Sequence, residues 1–436
     1  MRNLEATHRS ASGGPGGRSV AAPAPRAVAA LTASLVLAAA SWLSVAPARA
    51  QGNELDGTGV RVGQTRLFPE LRLDYIAYDN VFLDSEDPTE ATAAQLSPSV
   101  RWEAGRRLAE IEASYVGRYS TGSEDILDFA EHTLGLNGAA APSSRSRVEG
   151  YASYRLFGED LRVVAPGEDE PSRVRVDIDR YDLGGWYGYG AAGARGNVRL
   201  GIDIDGYDPD VDDEEAIVLR RRQFTRVQPY ARFSLRVSPD TRLLLETRFS
   251  DISRDGGRAG DSRVSVLTGL GFATSGAFGG EFRVGATRIS FDSDIDDENT
   301  LRVAASLFFQ PTSFSRFDLL LSRDFDPRFG SSGVSASTAI TTSAALDWRY
   351  AYSDRVSHRA RLAVEDEDVD CPLAGERQVD VGFELNLRVR RWIELGAGVD
   401  HEIDRLDDCG EEGIDIDADL LETDATRLGA HVRLIL

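Results

Sequence analysis

Two stretches of the chain set a carboxylate at every second residue: Asp292, Asp294 and Asp296 in one, Asp415, Asp417 and Asp419 in the other. Oxygen donors at that spacing are what a hard divalent cation such as Ca²⁺ takes. The EF-hand pattern also requires a Gly and a closing Glu at fixed loop positions, and neither stretch has them. The alternative reading is a solvated acidic loop that resists aggregation or meets the divalent cations bridging lipopolysaccharide. Cys371 and Cys409 are the only cysteines, too few for a four-thiolate zinc site or a disulfide-framework fold. Catalysis would need a nucleophile or an acid/base pair held together. The histidines (His8, His132, His358, His401, His431) are scattered over separate segments, and His431 beside Arg433 reads as a lumen or interface residue. No enzyme, no catalytic residue and no cofactor are expected.

Most of the charged side chains follow a different pattern. Arg226, Arg232, Arg236, Arg248, Arg302 and Arg388, with Glu110, Glu112, Asp203, Asp205, Glu246, Asp318, Glu384 and Asp400, occupy alternate positions in segments of period 2. From Arg226 to Val237 the even residues are polar except Tyr230, and the odd ones are Val227, Pro229, Ala231, Phe233, Leu235 and Val237. Val379, Val381, Phe383, Leu385, Leu387 and Val389 alternate with Gln378, Asp380, Gly382, Glu384, Asn386 and Arg388 in the same way. Such alternation gives a strand one apolar and one polar face. With the apolar faces toward lipid, the fourteen charged residues line water, and rows of opposite sign make a transverse field that orients polar solutes. They also pair with one another to satisfy a polar interior.

The elements that position these residues repeat to the end of the chain. About eighteen strands can be counted (sixteen is the alternative), each of about 10 to 13 residues, the length a tilted strand needs to cross a bilayer core. Short turns are expected at 103–106, 238–241, 275–278, 353–355 and 390–391. Long acidic connections are expected at 79–93, 208–216, 292–299, 366–376 and 404–424. Long-short alternation marks an up-and-down transmembrane antiparallel β-barrel; a soluble sandwich or propeller need not show it. Trp102, Trp186, Tyr187, Tyr189, Trp348, Tyr350, Tyr352 and Trp392 fall near short turns, as a periplasmic aromatic girdle would.

Ahead of the strands, residues 1–50 have the order of a cleaved secretory signal peptide. A segment with Arg2, Arg9, Arg18 and Arg26 precedes an Ala-rich apolar run and the small residues Ala48 and Ala50. Cleavage before Gln51 would leave a short periplasmic segment, 51–65, and a barrel over 66–436. The net charge of −22, with every one of the 49 basic residues an Arg, argues against a nucleic-acid partner.

Four stretches resemble the opening of the outer-membrane family known as β-barrel porin 2: Gly59-Val60-Arg61-Val62-Gly63, Leu67-Phe68-Pro69-Glu70-Leu71, Tyr78-Asp79-Asn80-Val81-Phe82 and Leu96-Ser97-Pro98. One departure is the terminal Leu436, where outer-membrane barrels usually end in an aromatic residue. The resemblance implies a barrel in the outer membrane of Gram-negative bacteria, porin-like, in some relatives associated with export of surface polysaccharide. The expected function is passive diffusion of small hydrophilic solutes, with an outer-membrane role in exopolysaccharide or capsule export as the alternative. Expected partners are outer-membrane lipids and lipopolysaccharide, the barrel-assembly machinery, further copies of the chain, or periplasmic export proteins. Cys371 and Cys409 lie in neighbouring external loops separated by two strands and a short turn. In an oxidising exterior they are expected to form a disulfide.

Overall fold

A computed structural model describes residues 59–82, 88–106, 108–163, 172–191, 193–210, 223–254, 261–274, 276–291, 297–326, 339–369, 375–407 and 422–435. Alternating apolar and polar residues form strands throughout. These begin with β1 (Val60–Val62), β2 (Thr65–Tyr78), β3 (Ala91–Arg106), β4 (Ala109–Gly122), β5 (Phe129–Ser143) and β6 (Ser146–Val163). Next come β7 (Ser172–Tyr189), β8 (Gly196–Asp210), β9 (Phe224–Arg236), β10 (Thr241–Arg254), β11 (Asp261–Thr274), β12 (Phe278–Phe291) and β13 (Glu298–Thr312). β14 (Ser315–Asp326), β15 (Ala339–Ala351), β16 (Val356–Val369), β17 (Gly375–Arg390), β18 (Ile393–Asp407) and β19 (Glu422–Ile435) complete the set.

Each strand from β2 to β19 pairs antiparallel with its sequence neighbour, and β19 returns to β2. The result is a closed, eighteen-stranded up-and-down barrel. Closure uses nine residue pairs, from Tyr78↔Arg427 to Glu70↔Ile435. Beyond Glu70 the last strand has run out, and β1 takes over the free edge of β2, from Val60↔Leu67 to Val62↔Thr65. Gly63, at φ +64, makes the tight turn between them, a conformation costly for any residue with a Cβ. Among the described residues the sheet therefore begins at Val60, inside the segment 51–65 that alternation alone left out of the barrel.

The two faces of the wall are set by how far side chains reach. Arg232 on β9 contacts Glu281 on β12, and Tyr151 on β6 reaches Asp203 on β8. Contacts that pass over intervening strands form only on a concave face, so these rows point into the barrel. The opposite rows point out: Val381, Phe383, Leu385 and Leu387 on β17 are each 43–47% exposed. A polar inside and an apolar outside reverse the arrangement of a water-soluble barrel.

Most strands from β2 to β19 are longer than the expected 10–13 residues, the set running from 12 to 18. Acids assigned to loops belong to strand ends: Asp208 and Asp210 to β8, Asp366 and Asp368 to β16, Asp404 and Asp407 to β18. The ladder continues through them, and Asp366 stands opposite Arg377, whose Nε lies 2.9 Å from its Oδ1. Ala91 to Ala93 likewise open β3 instead of closing a loop, and Glu103 to Arg106 extend β3 where a turn was expected. All the long connections emerge at one end of the barrel and all the short turns at the other.

Candidate functional site

All fourteen charged residues singled out by alternation lie on inward rows, since each shares a cross-strand register with others of that face. They are not evenly spread around the lumen. At mid-depth on β8 to β13 a network closes around Glu246, which is only 4% exposed. Arg248 Nη2 lies 3.6 Å and Arg232 Nε 3.9 Å from its carboxylate, and Arg283 Nη1 donates to it. Arg232 also donates to Glu281. Arg248 reaches toward Asp203, 3.7 Å away, and donates to Gln228 Oε1 at 3.1 Å. Arg226 Nε sits 2.9 Å from Asp205, and Tyr151 donates to Asp203 at 3.0 Å. Arg302 spans β13 to β11, donating to Ser265 Oγ at 3.1 Å, and pairs with Asp324 at 2.6 Å. Buried carboxylates in this setting find their hydrogen-bond partners in the surrounding guanidiniums.

Six strands further round, the inward rows of β16 to β18 are rich in acids: Glu365, Asp380, Glu384, Asp400, Glu402 and Asp404. The arginine-rich and acid-rich sectors thus sit a third of the circumference apart. Asp318 belongs to a separate chain of pairs at the short-turn end, in which Arg316 at 2.7 Å and Arg349 at 2.8 Å share its carboxylate. His431 faces the lumen, 3.7 Å from Glu384 and 3.3 Å from Arg72. Toward the long connections the inner wall of β7, β10 and β12 is apolar and packed: Ile178, Ile252 and Ile289 are each 1% exposed or less. Water-facing charge lies elsewhere, as with Glu112, whose side chain is 37% exposed.

Sequence reading missed Glu281, Arg283 and Arg263, all inward on the odd positions of β12 and β11. Their segments are rich in Gly and Ser, which blurs alternation. The odd-position row Glu281, Arg283, Thr287 was the available signal.

Of the expected girdle residues, Trp102, Tyr187, Tyr189, Trp348 and Tyr350 occupy outward rows near the short turns, with Tyr352 in the turn between β15 and β16 and Trp392 in the turn between β17 and β18. Trp186 does not. It pairs with Glu149 and Gly201 on the inward row, with the Arg199 guanidinium 3.9 Å from its ring centroid. Adjacent strand residues point to opposite faces, so Trp186 and Tyr187 could not both meet lipid. His358 is on the outward face, 5% exposed, with Trp348 against its ring at 4.5 Å and the Tyr352 hydroxyl 2.9 Å from Nδ1.

The motif Tyr78-Asp79-Asn80 sits at the barrel seam. Thr426 N–H donates to Asp79 Oδ1 at 2.5 Å, Asp79 N–H donates to Thr426 O at 3.2 Å, and Asn80 Nδ2 donates to Asp424 O at 2.9 Å. Partial burial pushes the Asp79 carboxyl up, but the Thr426 donors outweigh it and hold the group below the usual carboxylate range.

Cys371 and Cys409, and the acid series 292–296 and 415–419, lie outside the described residues. Among the described residues no group of three or more His, Cys, Asp or Glu could hold a metal ion. The sequence at the two ends differs sharply in charge. The segments between strands carry 27 Asp and Glu with five Arg on the long side, and two Asp with five Arg on the short side.

No family model matches the chain, and no curated protein does. Solved structures similar to it include the outer membrane channel DcaP of Acinetobacter baumannii, at 11% identity over 87% of this chain and 99% of that one, TM-score 0.42. OpdO of Pseudomonas aeruginosa is similar at 15% identity over 86% and 98%, TM-score 0.43. The FrpB iron transporter of Neisseria meningitidis is similar at 8% identity, with a TM-score of 0.43; the match covers 78% of this chain and 62% of the transporter.

Proposed function

We propose that the chain is an outer-membrane channel for passive diffusion of small hydrophilic solutes. The observation that carries this reading is a closed wall with an apolar exterior and a charged interior, whose connections are long at one end and short at the other. An apolar outside suits hydrocarbon, because closure leaves no unpaired strand edge in the bilayer. Charged inward rows suit water. The arginine-rich and acid-rich sectors would turn a polar solute across the axis as it passes.

The reading includes export behind a cleaved signal peptide, with the long acidic connections outside the cell among lipopolysaccharide and its bridging cations. Purified protein added to planar bilayers is expected to give discrete conductance steps that rise with salt concentration. Channels absent from protein whose β-signature and heat-modifiable gel shift are intact would overturn the diffusion role. Recovery of the native chain as a soluble periplasmic species would overturn the membrane reading itself.

A further inference from the structure

The outer wall at the short-turn end carries a patch that the channel reading does not use. It lies between the turn at 352–355, which joins β15 to β16, and the turn at 391–392, which joins β17 to β18. The two turns are tied together, since Arg388 N–H donates to Arg355 O at 2.7 Å. A bulge at the end of β17 shifts the register between Arg388 and Arg390. By alternation Arg390 would follow Arg388 into the lumen. Instead it pairs with Ile393, whose neighbours along the sheet are Leu434 and Leu71 on the outward row. Bulges commonly re-aim a side chain in this way. Arg390 and Arg391, which follow the bulge, are both exposed, and no ion pair or side-chain hydrogen bond holds either guanidinium among the described residues. Asp354 is the only carboxylate in the two turns.

Below the arginines the surface is apolar and held still. Tyr352 is 60% exposed, yet its hydroxyl is bonded to the buried His358 and its ring packs edge-on against Tyr350 at 4.9 Å. Trp392, in the turn after β17, is 46% exposed, and Leu387, Leu385, Phe383 and Val381 run down β17 from the rim. That row extends for roughly 20 Å along the strand, or about 15 Å in depth at the usual tilt, which is one leaflet of a bilayer core. Cationic groups above a leaflet-deep apolar strip match a molecule with an anionic head and two hydrocarbon tails.

We propose that this patch binds an anionic glycerophospholipid of the periplasmic leaflet. Its phosphodiester is held by Arg390 and Arg391, and its acyl chains lie along the β17 row. The proposal rests on the membrane reading above, and the test separates the two. The full mature chain is refolded into phosphatidylcholine vesicles in which an equal fraction of lipid is brominated phosphatidylcholine or brominated phosphatidylglycerol. Tryptophan quenching is read, with Trp392→Phe used to isolate the contribution of Trp392.

Quenching of Trp392 by the brominated phosphatidylglycerol is expected to exceed that by the choline lipid about fivefold, the factor one arginine contributes near an anionic lipid surface. Arg390→Ser with Arg391→Ser is expected to abolish the preference, and Arg145→Ser, on a different short turn, to leave it intact. Equal quenching of the wild type by both lipids overturns the site, and that comparison needs no variant to fold. Loss of the preference in Arg145→Ser as well overturns it in favour of the general charge of the rim. Quenching by neither lipid overturns the membrane reading along with it.

Discussion

Glu246 and its three arginines show how much the lumen wall depends on single side chains. Replacing Glu246 with Gln keeps the shape but leaves Arg232, Arg248 and Arg283 facing one another without their shared counter-charge. Breaking a buried pair of this kind costs on the order of 3–5 kcal/mol, so the urea midpoint of vesicle-inserted Glu246→Gln is expected to fall well below that of the wild type. Asp79 acts at the other extreme of exposure. Its folded-state carboxyl is held below the usual range, so the latch to Thr426 is fully present above the unfolded value of 3.8 and is lost as pH falls through the folded one. Heat-modifiability of the barrel should therefore drop in acid below about pH 4, and Asp79→Ala should flatten that dependence. An unchanged pH profile in the variant would free Asp79 of the role.

At the scale of strands, face assignment makes a sharp contrast between neighbours. Phe383→Arg puts a cation on the outward row of β17 near mid-depth and is expected to cost roughly 2–4 kcal/mol, while Asn386→Arg, on the inward row, should cost much less. Equal losses in unfolding titrations of the two would mean the faces are reversed. Strand number and centres were legible because period 2 survives in every segment, even where Gly and Ser dilute it. Strand ends were not, because acids that read as loop, such as Asp366 opposite Arg377, extend the ladder. The bulge before Arg390 was also invisible, since it changes no residue type and only the pairing of β17 with β18 reveals it. Trp186 was legible in principle: its adjacency to Tyr187 already required one of the two to face inward.

For the whole molecule, the contrast between ends has an electrical outcome. With 27 acids against five arginines in its connections, the long-side mouth of the proposed channel is expected to concentrate cations. Reversal potentials across a planar bilayer are expected to show cation preference at low salt and to approach neutrality near 1 M, where the screening length falls to about 3 Å. A salt-independent reversal potential would mean that the lumen rows, not the mouth, set the selectivity. The connectivity has a different kind of consequence. Because each strand bonds only to its sequence neighbours, the wall is modular, and its circumference is a count of hairpins. Excising β10 and β11 would bring β9 against β12, which already run in opposite directions, and the ends would still meet at the Asp79 seam. Lengthening or shortening the closed circuit changes its entropic cost by only about 0.6 kcal/mol per doubling. Barrel width is thus a quantity that deletion or duplication of one hairpin can alter in a single step: the backbone ladders of the remaining strands are kept, while side-chain pairs that reach into the excised hairpin, such as those of Glu246, are lost.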